Sequence, residues 1–514
     1  MDFAIIDIIA FVGFLVFVIG VSLYVSRNKE NTEDYFLAGR SLSWWVIGLS
    51  LIASNISTEH FVGMAGQGFR GDIGLAIASF EWIAALALIV VALYLLPKFL
   101  QSGIYTIPEY LEYRYDKKTR TLMSVFMLVF YVCITIATVL YAGAFALKEI
   151  FDISLIKGVW MIGLTGGLYT VYGGLKAVVW SDVIQGTALL LGGMLVTYLG
   201  MVEIGGWDAF VELSDGRLHT VLPLDHPELP WLAVFLGGMW IPNLFYFGLN
   251  QFITQRTLGA KSIVEGQKGV LFGASIKLLI PFIIVFPGII AYELYGGQIA
   301  NGDAAYPTLI TELLPAGLVG IMFAALFGAT MSTLDSLLNS AATIFVIDIY
   351  KPFINKNISS SESVRIGRIS TFFLMILACL WAPIISQFEG GLYLFLQLYW
   401  GFIQPGVVAV FFLGLVWKKV PSNAAFWAML LNIPVYGGLL WAFPNIAFLH
   451  HMAITFLFVL AFMSIYTYLR PGSGVKHHTT IPVKYELDYK LQPVVKIWAV
   501  AIFIATVSLY IIFY

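Results

Sequence analysis

Residues 53–60 read Ala-Ser-Asn-Ile-Ser-Thr-Glu-His, and they interrupt an apolar span that runs from 42 to 66. Six of these eight residues are polar, although the span is otherwise long enough to cross a bilayer. Hydrocarbon tolerates such residues only where they face protein or a water-filled cavity. The run therefore predicts a discontinuous transmembrane helix, the kind of helix that builds ion and substrate sites at the midplane of secondary transporters.

The composition around this run is that of a polytopic membrane protein. The chain has 514 residues, of which 60% are hydrophobic and only 11% are charged. Soluble domains carry roughly 25% charged residues, so a soluble fold is excluded. The net charge of −2 and the absence of a basic stripe argue against nucleic-acid binding.

Windows of about 20 apolar residues divide the chain into about fourteen predicted spans. Their limits are 4–25, 42–66, 74–101, 120–147, 156–177, 181–203, 231–256, 266–297, 315–350, 364–388, 391–416, 423–443, 450–470 and 492–513. Of the 28 lysine and arginine residues, 23 fall in alternate connections and only four in the others. Because cytoplasmic loops carry the positive excess, we expect both termini to lie outside.

The span 231–256 is also interrupted, at Pro242 and Asn243, and it carries Tyr246, Asn250 and Gln251. It is the seventh span and lies five after the first interrupted one. Because five is odd, a five-span unit repeated in tandem would be inverted in the membrane. Two interrupted helices at equivalent places indicate an inverted-repeat transporter, with halves at 42–203 and 231–416.

Several titratable side chains fall inside apolar spans, where burial is expensive unless they face the bundle interior. They are Asp7, Glu59, His60, Glu81, Asp182, Lys277 and Asp335. Pairing of opposite charges would neutralise them, and Lys277 with Glu81 is one such pair. For each residue the alternatives are a functional role, a structural ion pair or a position near the membrane interface.

Residues 329–336 form another polar cluster, Ala-Thr-Met-Ser-Thr-Leu-Asp-Ser. One helical hydroxyl usually bonds the carbonyl four residues back, but here four hydroxyls and a carboxylate fall within seven residues. Oxygen-rich clusters suit hard cations, and small residues allow close helix approach. Unwound carbonyls near Ala53 and Ile56 would add oxygens, so we expect a cation site between the two segments.

The sequence carries no enzymatic motif. Glu59 and His60 would suit acid–base chemistry or proton coupling, but no HExxH, GxSxG or Walker A pattern accompanies them. We therefore expect a protein that is not an enzyme. A membrane-embedded enzyme and a passive channel remain the alternatives from other classes.

Several motifs, in order along the chain, resemble the sodium:solute symporter family. They are 53–56 (Ala-Ser-Asn-Ile), 80–82 (Phe-Glu-Trp), 103–110 (Gly-Ile-Tyr-Thr-Ile-Pro-Glu-Tyr) and 173–185 (Gly-Gly-Leu-Lys-Ala-Val-Val-Trp-Ser-Asp-Val-Ile-Gln), with support from 339–340 and 348–350. The likeness extends from about residue 30 to 420 and is greatest to the sodium/sugar (sodium/glucose–galactose) cotransporter branch.

This resemblance implies an all-α polytopic membrane protein with a LeuT-type five-plus-five inverted repeat. The divisions are 1–41 (first transmembrane helix and cytoplasmic loop), 42–203 (first repeat), 204–230 (extracellular loop), 231–416 (second repeat) and 417–514 (three C-terminal transmembrane helices). The implied location is the cell membrane, as a multi-pass protein, and the inner membrane in a bacterium.

The resemblance also implies two kinds of site. Sodium would be held by the carbonyl oxygens of Ala53, Ile56 and Ala329 and by the hydroxyls of Ser332 and Thr333. Sugar contacts would come from Asn55, His60, Glu81, Asn243, Lys277 and Gln397, with Met64, Tyr131 and Phe247 around the sugar and Tyr246 as the inner aromatic gate. A second sodium site, as in some relatives, would use Asp182, Ser332, Asp335 and Ser336. For Asp335 the alternatives are a pair with a nearby cation or a protonated carboxyl.

Three positions depart from the pattern of the resemblance. His60 matches the animal members of the branch, whereas bacterial galactose carriers have Gln at this position. Ala84 stands where the family pattern has a sugar-facing Ser, and Phe247 stands where it has a Trp. The resemblance therefore implies sodium-coupled import of a hexose-like sugar by alternating access, without identifying the sugar. The implied partners are a small sugar, sodium and membrane lipid. The alternative within transport is a sodium-coupled carboxylate or sugar-acid carrier in which Lys277 binds the acid.

Overall fold

A computed structural model of the protein describes residues 5–25, 31–151, 153–214, 216–387, 392–470 and 490–514. Within these ranges the chain is helical and forms no β-strand, and the pairing of Leu42 with Ala260 is an isolated bridge. The all-α class predicted from the sequence is confirmed for the part of the chain that the structure describes.

The described ranges contain 24 α-helices. They are α1 (Ile5–Val25), α2 (Thr32–Leu37), α3 (Trp44–Asn55), α4 (Ala65–Phe69), α5 (Ser79–Val90), α6 (Leu96–Ser102), α7 (Ile107–Arg114), α8 (Lys117–Phe130), α9 (Ala137–Phe151), α10 (Leu155–Ile204), α11 (Trp207–Leu213), α12 (Trp231–Phe235), α13 (Trp240–Leu244), α14 (Gln251–Leu258), α15 (Ile263–Tyr295), α16 (Ala305–Leu313), α17 (Leu318–Ile344), α18 (Lys351–Phe353), α19 (Ser360–Trp381), α20 (Leu392–Trp400), α21 (Gln404–Val416), α22 (Ser422–Ala442), α23 (Phe448–Leu469) and α24 (Pro493–Ile512). Short π-helical turns at Glu59–Met64, Val91–Leu95, Tyr131–Ile136, Phe245–Leu249 and Phe345–Tyr350 continue several of them. Short 3₁₀ turns lie at Ala38–Arg40, Gly74–Ala78, Gly302–Ala304 and Ala382–Gln387.

Eleven helical segments of the described chain are long and apolar enough to cross a membrane. Three shorter apolar helices, at Trp44–Asn55, Leu155–Gly167 and Gln404–Val416, fall in the three remaining predicted windows. The count of about fourteen spans, and the division into two repeat halves, stay predictions.

The long helix α10 contains two of the predicted spans. Gly174 separates them, because its φ of 58° and ψ of −169° lie far from helical values. Such a conformation favours glycine, and a Cβ at this position would also meet the Tyr35 carbonyl oxygen at 2.6 Å.

The first interruption is found where the polar run predicts it. Helix α3 ends at Asn55, and Ile56 adopts an extended conformation with φ −81° and ψ 100°. The chain becomes helical again in the π-helical turn that begins at Glu59. The backbone between the two segments therefore leaves the helical hydrogen-bond ladder in the middle of the span.

The span 231–256 is interrupted on both sides of the predicted position, at residues 236–239 between α12 and α13 and at Asn250, so the prediction of a break at Pro242 and Asn243 themselves was wrong; the break at Asn250 is called the second interruption below. Both residues lie inside the first turn of α13, where the missing N–H of proline costs nothing because those donors have no helical partner. The extended residue is Asn250, with φ −87° and ψ 118°, and α14 begins directly after it.

Helices α15 and α17 lie at the centre of the bundle. Their apolar windows are 78% and 83% buried, compared with 11% for α1, so α1 is peripheral. Asp7 on α1 nevertheless binds the start of α17, where its Oδ1 accepts the N–H groups of Gly317 (2.7 Å) and Gly320 (3.0 Å). The carboxylate complements the partial positive charge of that helix N-terminus, which explains how this charge is accommodated in an apolar helix.

Candidate functional site

A cavity of ≈ 90 Å³ lies between the two interrupted segments. Eight of the ten residues proposed for sugar contact line it: Asn55, His60, Glu81, Asn243, Tyr246, Phe247, Lys277 and Gln397. They come from α3 and the turn after it, α5, α13 and the turn after it, α15 and α20. The fold therefore brings together side chains that lie up to 342 residues apart in the sequence, from Asn55 to Gln397.

A charged group occupies one wall of the cavity. Lys277 Nζ lies 2.5 Å from Glu81 Oε2 and also donates a hydrogen bond to Asn55 Oδ1. His60 Nε2 lies 3.6 Å from Glu81 Oε1. All four side chains are buried, with relative exposures of 1–8%. Burial of these charges is tolerated because ammonium and carboxylate neutralise each other and share further polar partners.

Aromatic rings form another part of the lining. The Tyr246 ring packs edge-on against Phe247 and Phe252, with centroids 4.9 and 5.3 Å away. Lys277 Nζ lies 5.2 Å from the Phe247 ring centroid. The cavity thus combines apolar ring faces with charged and amide groups, a lining suited to a ligand that has both C–H faces and hydroxyls.

The other two proposed sugar contacts lie outside this lining. Met64 is fully buried in the core. Tyr131 is also fully buried, and its hydroxyl donates to Asn250 Oδ1 and accepts the N–H of Phe252 at 3.1 Å. In this structure Tyr131 therefore satisfies polar groups of the second interruption.

The lining includes polar residues that the sequence reasoning did not select for this role. They are Ser57, Glu59, Thr135, Thr333 and Gln404. Glu59 adds a second carboxylate to the cavity beside Glu81. Gln404 was detectable in principle, because it is an isolated polar side chain inside the apolar window 391–416.

Two of the residues proposed for the sodium site, Ser332 and Thr333, lie on α17 and bond groups of α10 and α3, and the full ligand set stays a prediction. Thr333 Oγ1 donates to the Ser54 carbonyl oxygen at 3.3 Å, two residues before the unwound Ile56. Ser332 Oγ donates to Asp182 Oδ1 at 2.5 Å, which leaves the hydroxyl lone pairs free to bind a cation. Carbonyl and hydroxyl oxygens of this kind suit a hard monovalent cation.

The proposed second sodium site is only partly assembled. Ser332 Oγ donates to Asp182, and Ser54 Oγ bonds both Asp182 and Ser336, but the Arg256 guanidinium lies among them. Arg256 donates to Ser54 Oγ (2.6 Å), Ser336 Oγ (2.8 Å) and Asp182 Oδ2 (3.4 Å). The positive charge that Asp182 needs is thus supplied by the chain itself.

Asp335 makes no hydrogen bond to that group among the described residues. Its Oδ1 accepts the Thr170 hydroxyl at 2.7 Å on α10, and its Oδ2 has no hydrogen-bond partner among the described residues. The side chain is fully buried. Three of the four residues proposed for a second site thus belong to one hydrogen-bonded cluster, the described hydrogen bond of Asp335 goes to Thr170, and the second site stays a prediction.

The second interruption is tied to the 103–110 motif. Gln251 is the first residue of α14 and is fully buried. Its Oε1 accepts the N–H of Ile107 at 2.8 Å, and its Nε2 donates to the Tyr105 carbonyl oxygen at 3.0 Å. The start of α7 is consequently anchored to the broken helix. A movement of α14 would be transmitted directly to this connection, which the charge distribution places on the cytoplasmic side.

Comparison with known proteins gives consistent results. A model of the sodium:solute symporter family matches residues 35–432. A sodium/glucose cotransporter of Vibrio parahaemolyticus is 44% identical over 495 residues, which cover 90% of this chain and 90% of the relative. A sodium/myo-inositol cotransporter 2 of Oryctolagus cuniculus is 33% identical over 465 residues, which cover 83% of this chain and 68% of the relative.

A solved structure shares the same architecture. It is a Na⁺-coupled sialic acid symporter in a substrate-bound outward-open state, and it matches with a TM-score of 0.81 at 23% identity. The match covers 91% of this chain and 98% of that one. The transporter fold class predicted from the sequence is thereby confirmed.

Proposed function

This chain belongs to the sodium:solute symporter family, and from that premise we propose that it imports a neutral hexose-like sugar together with sodium by alternating access. It is a multi-pass membrane protein with the LeuT-type fold. Its relatives are transporters, and we propose that it transports its substrate without chemically modifying it.

The observation that carries the proposal is the neutralised lysine of the cavity. Lys277 is paired with Glu81 at 2.5 Å, and Glu59 adds another carboxylate to the same lining. A substrate carboxylate would meet the Glu81 carboxylate without a free positive partner. Hydroxyl groups, in contrast, can donate to the carboxylates and accept from the ammonium and amide groups. This arrangement favours a neutral sugar over the sugar-acid alternative.

The names of two relatives support the same chemistry. One is a sodium/glucose and the other a sodium/myo-inositol cotransporter. Glucose and myo-inositol are both neutral six-membered rings that carry several hydroxyls. We propose that Asn55, His60, Glu81, Asn243, Lys277 and Gln397 bind such hydroxyls, with Tyr246 and Phe247 against the ring faces.

Sodium is the proposed coupling ion. Its ligands would be the carbonyl oxygens of Ala53, Ile56 and Ala329 with the hydroxyls of Ser332 and Thr333. Coupling follows from the position of the first interruption, because Ile56 directly follows Asn55, which lines the sugar cavity. Thr333 also lines the cavity while it bonds the Ser54 carbonyl. Binding of the cation would order the segment that holds the sugar ligands.

We propose one sodium per sugar. Arg256 already supplies the charge and the hydrogen bonds for Asp182 and Ser336, and Asp335 faces Thr170. A second sodium beside Asp182 and Ser336 would place another positive charge next to the buried Arg256 guanidinium. One sodium crossing ~100 mV releases about 2.3 kcal/mol. A tenfold sodium gradient adds about 1.4 kcal/mol, and together they sustain accumulation of roughly several-hundred-fold.

Uptake by purified protein in liposomes tests the proposal. A panel of neutral hexoses, inositols, uronic acids and short carboxylates would be offered with an inward sodium gradient, and with potassium replacing sodium as the control. We expect sodium-dependent uptake of a neutral six-membered sugar or polyol, recovered unmodified. Sodium-dependent uptake confined to acids would favour the sugar-acid carrier, and recovery of an altered product would favour an enzyme.

A further inference from the structure

A polar side chain that the proposed sugar contacts do not include lies in the wall of the cavity. Gln404 is the first residue of α21, and only 3% of its surface is exposed. It lines the cavity together with Trp400, the last residue of α20. Its Oε1 is buried and has no hydrogen-bond partner among the residues that the structure describes.

Gln404 occupies this position because the span 391–416 is itself interrupted. Helix α20 ends at Trp400, and residues 401–403 form tight turns in which each N–H bonds the carbonyl three residues back. Helix α21 then begins at Gln404. This wall of the cavity is thus formed at a further helix break, where side chains at a helix start can point into a polar space.

Asn432 on α22 holds this break in place. Its Nδ2 donates to the carbonyl oxygens of Gly401 (3.2 Å) and Phe402, and its Oδ1 accepts the N–H of Gly406 at 2.7 Å. It therefore satisfies backbone groups on both sides of the interruption. Gly406 permits the close approach, because a Cβ there would lie 2.9 Å from the Asn432 Cβ. These hydrogen bonds of Asn432 fix the start of α21, including the backbone of Gln404.

A buried amide oxygen without a donor is unfavourable, and native structures seldom retain one unless a ligand or water supplies the hydrogen bond. The neighbouring ring of Trp400 is packed against Phe130 and Phe245, with centroids 5.4 and 5.3 Å away, so it offers a fixed apolar surface beside the amide. Among the contacts described for this part of the chain, Gln404 is separate from the Lys277–Glu81 pair. Its acceptor would therefore act on a different group of the substrate.

We propose that Gln404 is a specificity-determining residue whose Oε1 accepts a hydrogen bond from one hydroxyl of the bound sugar. The inference rests on the proposed function, because it concerns a contact to a polyhydroxylated substrate. The hydrogen bond to Gln404 Oε1 requires a hydroxyl, or another uncharged donor, at one position of the sugar ring. A sugar that lacks the donor at that position leaves the amide oxygen unpaired and binds more weakly.

The test uses purified protein in liposomes, with the best-carried neutral hexose and its monodeoxy analogues; D-glucose and the monodeoxyglucoses are the first probes. Gln404→Leu removes the acceptor at similar size, and Gln404→Glu keeps an acceptor. Gln298→Leu, at an exposed loop position, is the matched control. We expect Gln404→Leu to raise the half-saturation concentration of the hexose roughly tenfold, as loss of one hydrogen bond predicts. One monodeoxy analogue should be carried equally by wild type and Gln404→Leu, and Gln404→Glu should retain the wild-type order of the analogues.

The results separate this proposal from its premise. Equal losses for the hexose and for every analogue in Gln404→Leu would overturn the role of Gln404 while leaving sugar transport established by the wild type. Unchanged half-saturation would overturn it as well. A wild-type protein that moves no neutral sugar with sodium would refute the proposed function, and this specificity role with it.

Discussion

Glu81→Gln distinguishes a neutral-sugar carrier from a sugar-acid carrier. In the wild type, Lys277 Nζ lies 2.5 Å from Glu81 Oε2, so its charge is neutralised before a substrate arrives. Glutamine keeps the size of the side chain and one acceptor oxygen but removes the negative charge. The variant therefore presents an ammonium group without its carboxylate to the cavity.

The size of the effect follows from the hydrogen bond that becomes available. A hydrogen bond to a charged group contributes about 1.5–3 kcal/mol. Since 1.4 kcal/mol is a factor of ten, the preference for a uronic acid over its neutral hexose should rise by roughly 10- to 100-fold. Breaking a buried pair also destabilises the protein, by about 3–5 kcal/mol. Thermal unfolding in detergent should therefore be measured alongside transport.

The assay is competition in liposomes. Uptake of a labelled neutral hexose is measured with increasing unlabelled hexose or uronic acid, and the ratio of the two inhibition constants is compared between proteins. Glu59→Gln is the matched control, because it removes a carboxylate from the same cavity, and no described contact joins Glu59 to Lys277.

Two results would refute the reasoning. A wild type that already prefers the uronic acid would show that the Lys277–Glu81 pair opens for an acidic substrate. A ratio that is the same in Glu81→Gln, Glu59→Gln and wild type would show that the pair does not select against acids.

Three further substitutions test other parts of the account. Ser332→Ala removes one proposed sodium ligand and should raise the sodium concentration for half-maximal uptake roughly tenfold or more; an unchanged sodium activation curve would reject the assignment. Asp335→Asn should leave the ratio of charge to sugar unchanged in electrogenic uptake, because its side chain faces Thr170; a lower ratio would restore Asp335 to a second sodium site. Tyr131→Phe should lower the melting temperature, because Asn250 Oδ1 and the Phe252 N–H each lose a hydrogen-bond partner at a cost of about 1–3 kcal/mol. The sugar concentration for half-maximal uptake should change little. An unchanged melting temperature with weaker sugar uptake would place Tyr131 at the sugar.

Much of the fold was predictable because membrane burial makes polar residues conspicuous. The run at 53–60 identified the first interruption, since a carboxylate and several hydroxyls cannot face lipid. The pairing of Lys277 with Glu81 was predictable on the same ground, because two opposite buried charges lower each other's cost. The signal at Pro242 was misleading, because proline at the start of a helix does not break it; the break at Asn250 is marked only by the polar pair Asn250 and Gln251.

The rest depended on tertiary packing. Asp335 and Ser336 are neighbours in the sequence, yet one faces Thr170 and the other faces Arg256, and only the placement of α10 and α14 decides which. The position of Arg256 within the Asp182 group was equally invisible, since arginine near a span end usually indicates the cytoplasmic surface. Gln404 enters the cavity because of a helix break that Asn432, from another helix, stabilises.

Sodium-driven accumulation of a neutral hexose in liposomes tests the central claim most directly. With a tenfold inward sodium gradient and ~100 mV negative inside, one sodium per sugar predicts accumulation of up to roughly several-hundred-fold. The accumulated sugar should be released when the sodium gradient is collapsed. Uptake that stops at equal concentrations on both sides, or that proceeds unchanged with potassium in place of sodium, would contradict coupled symport.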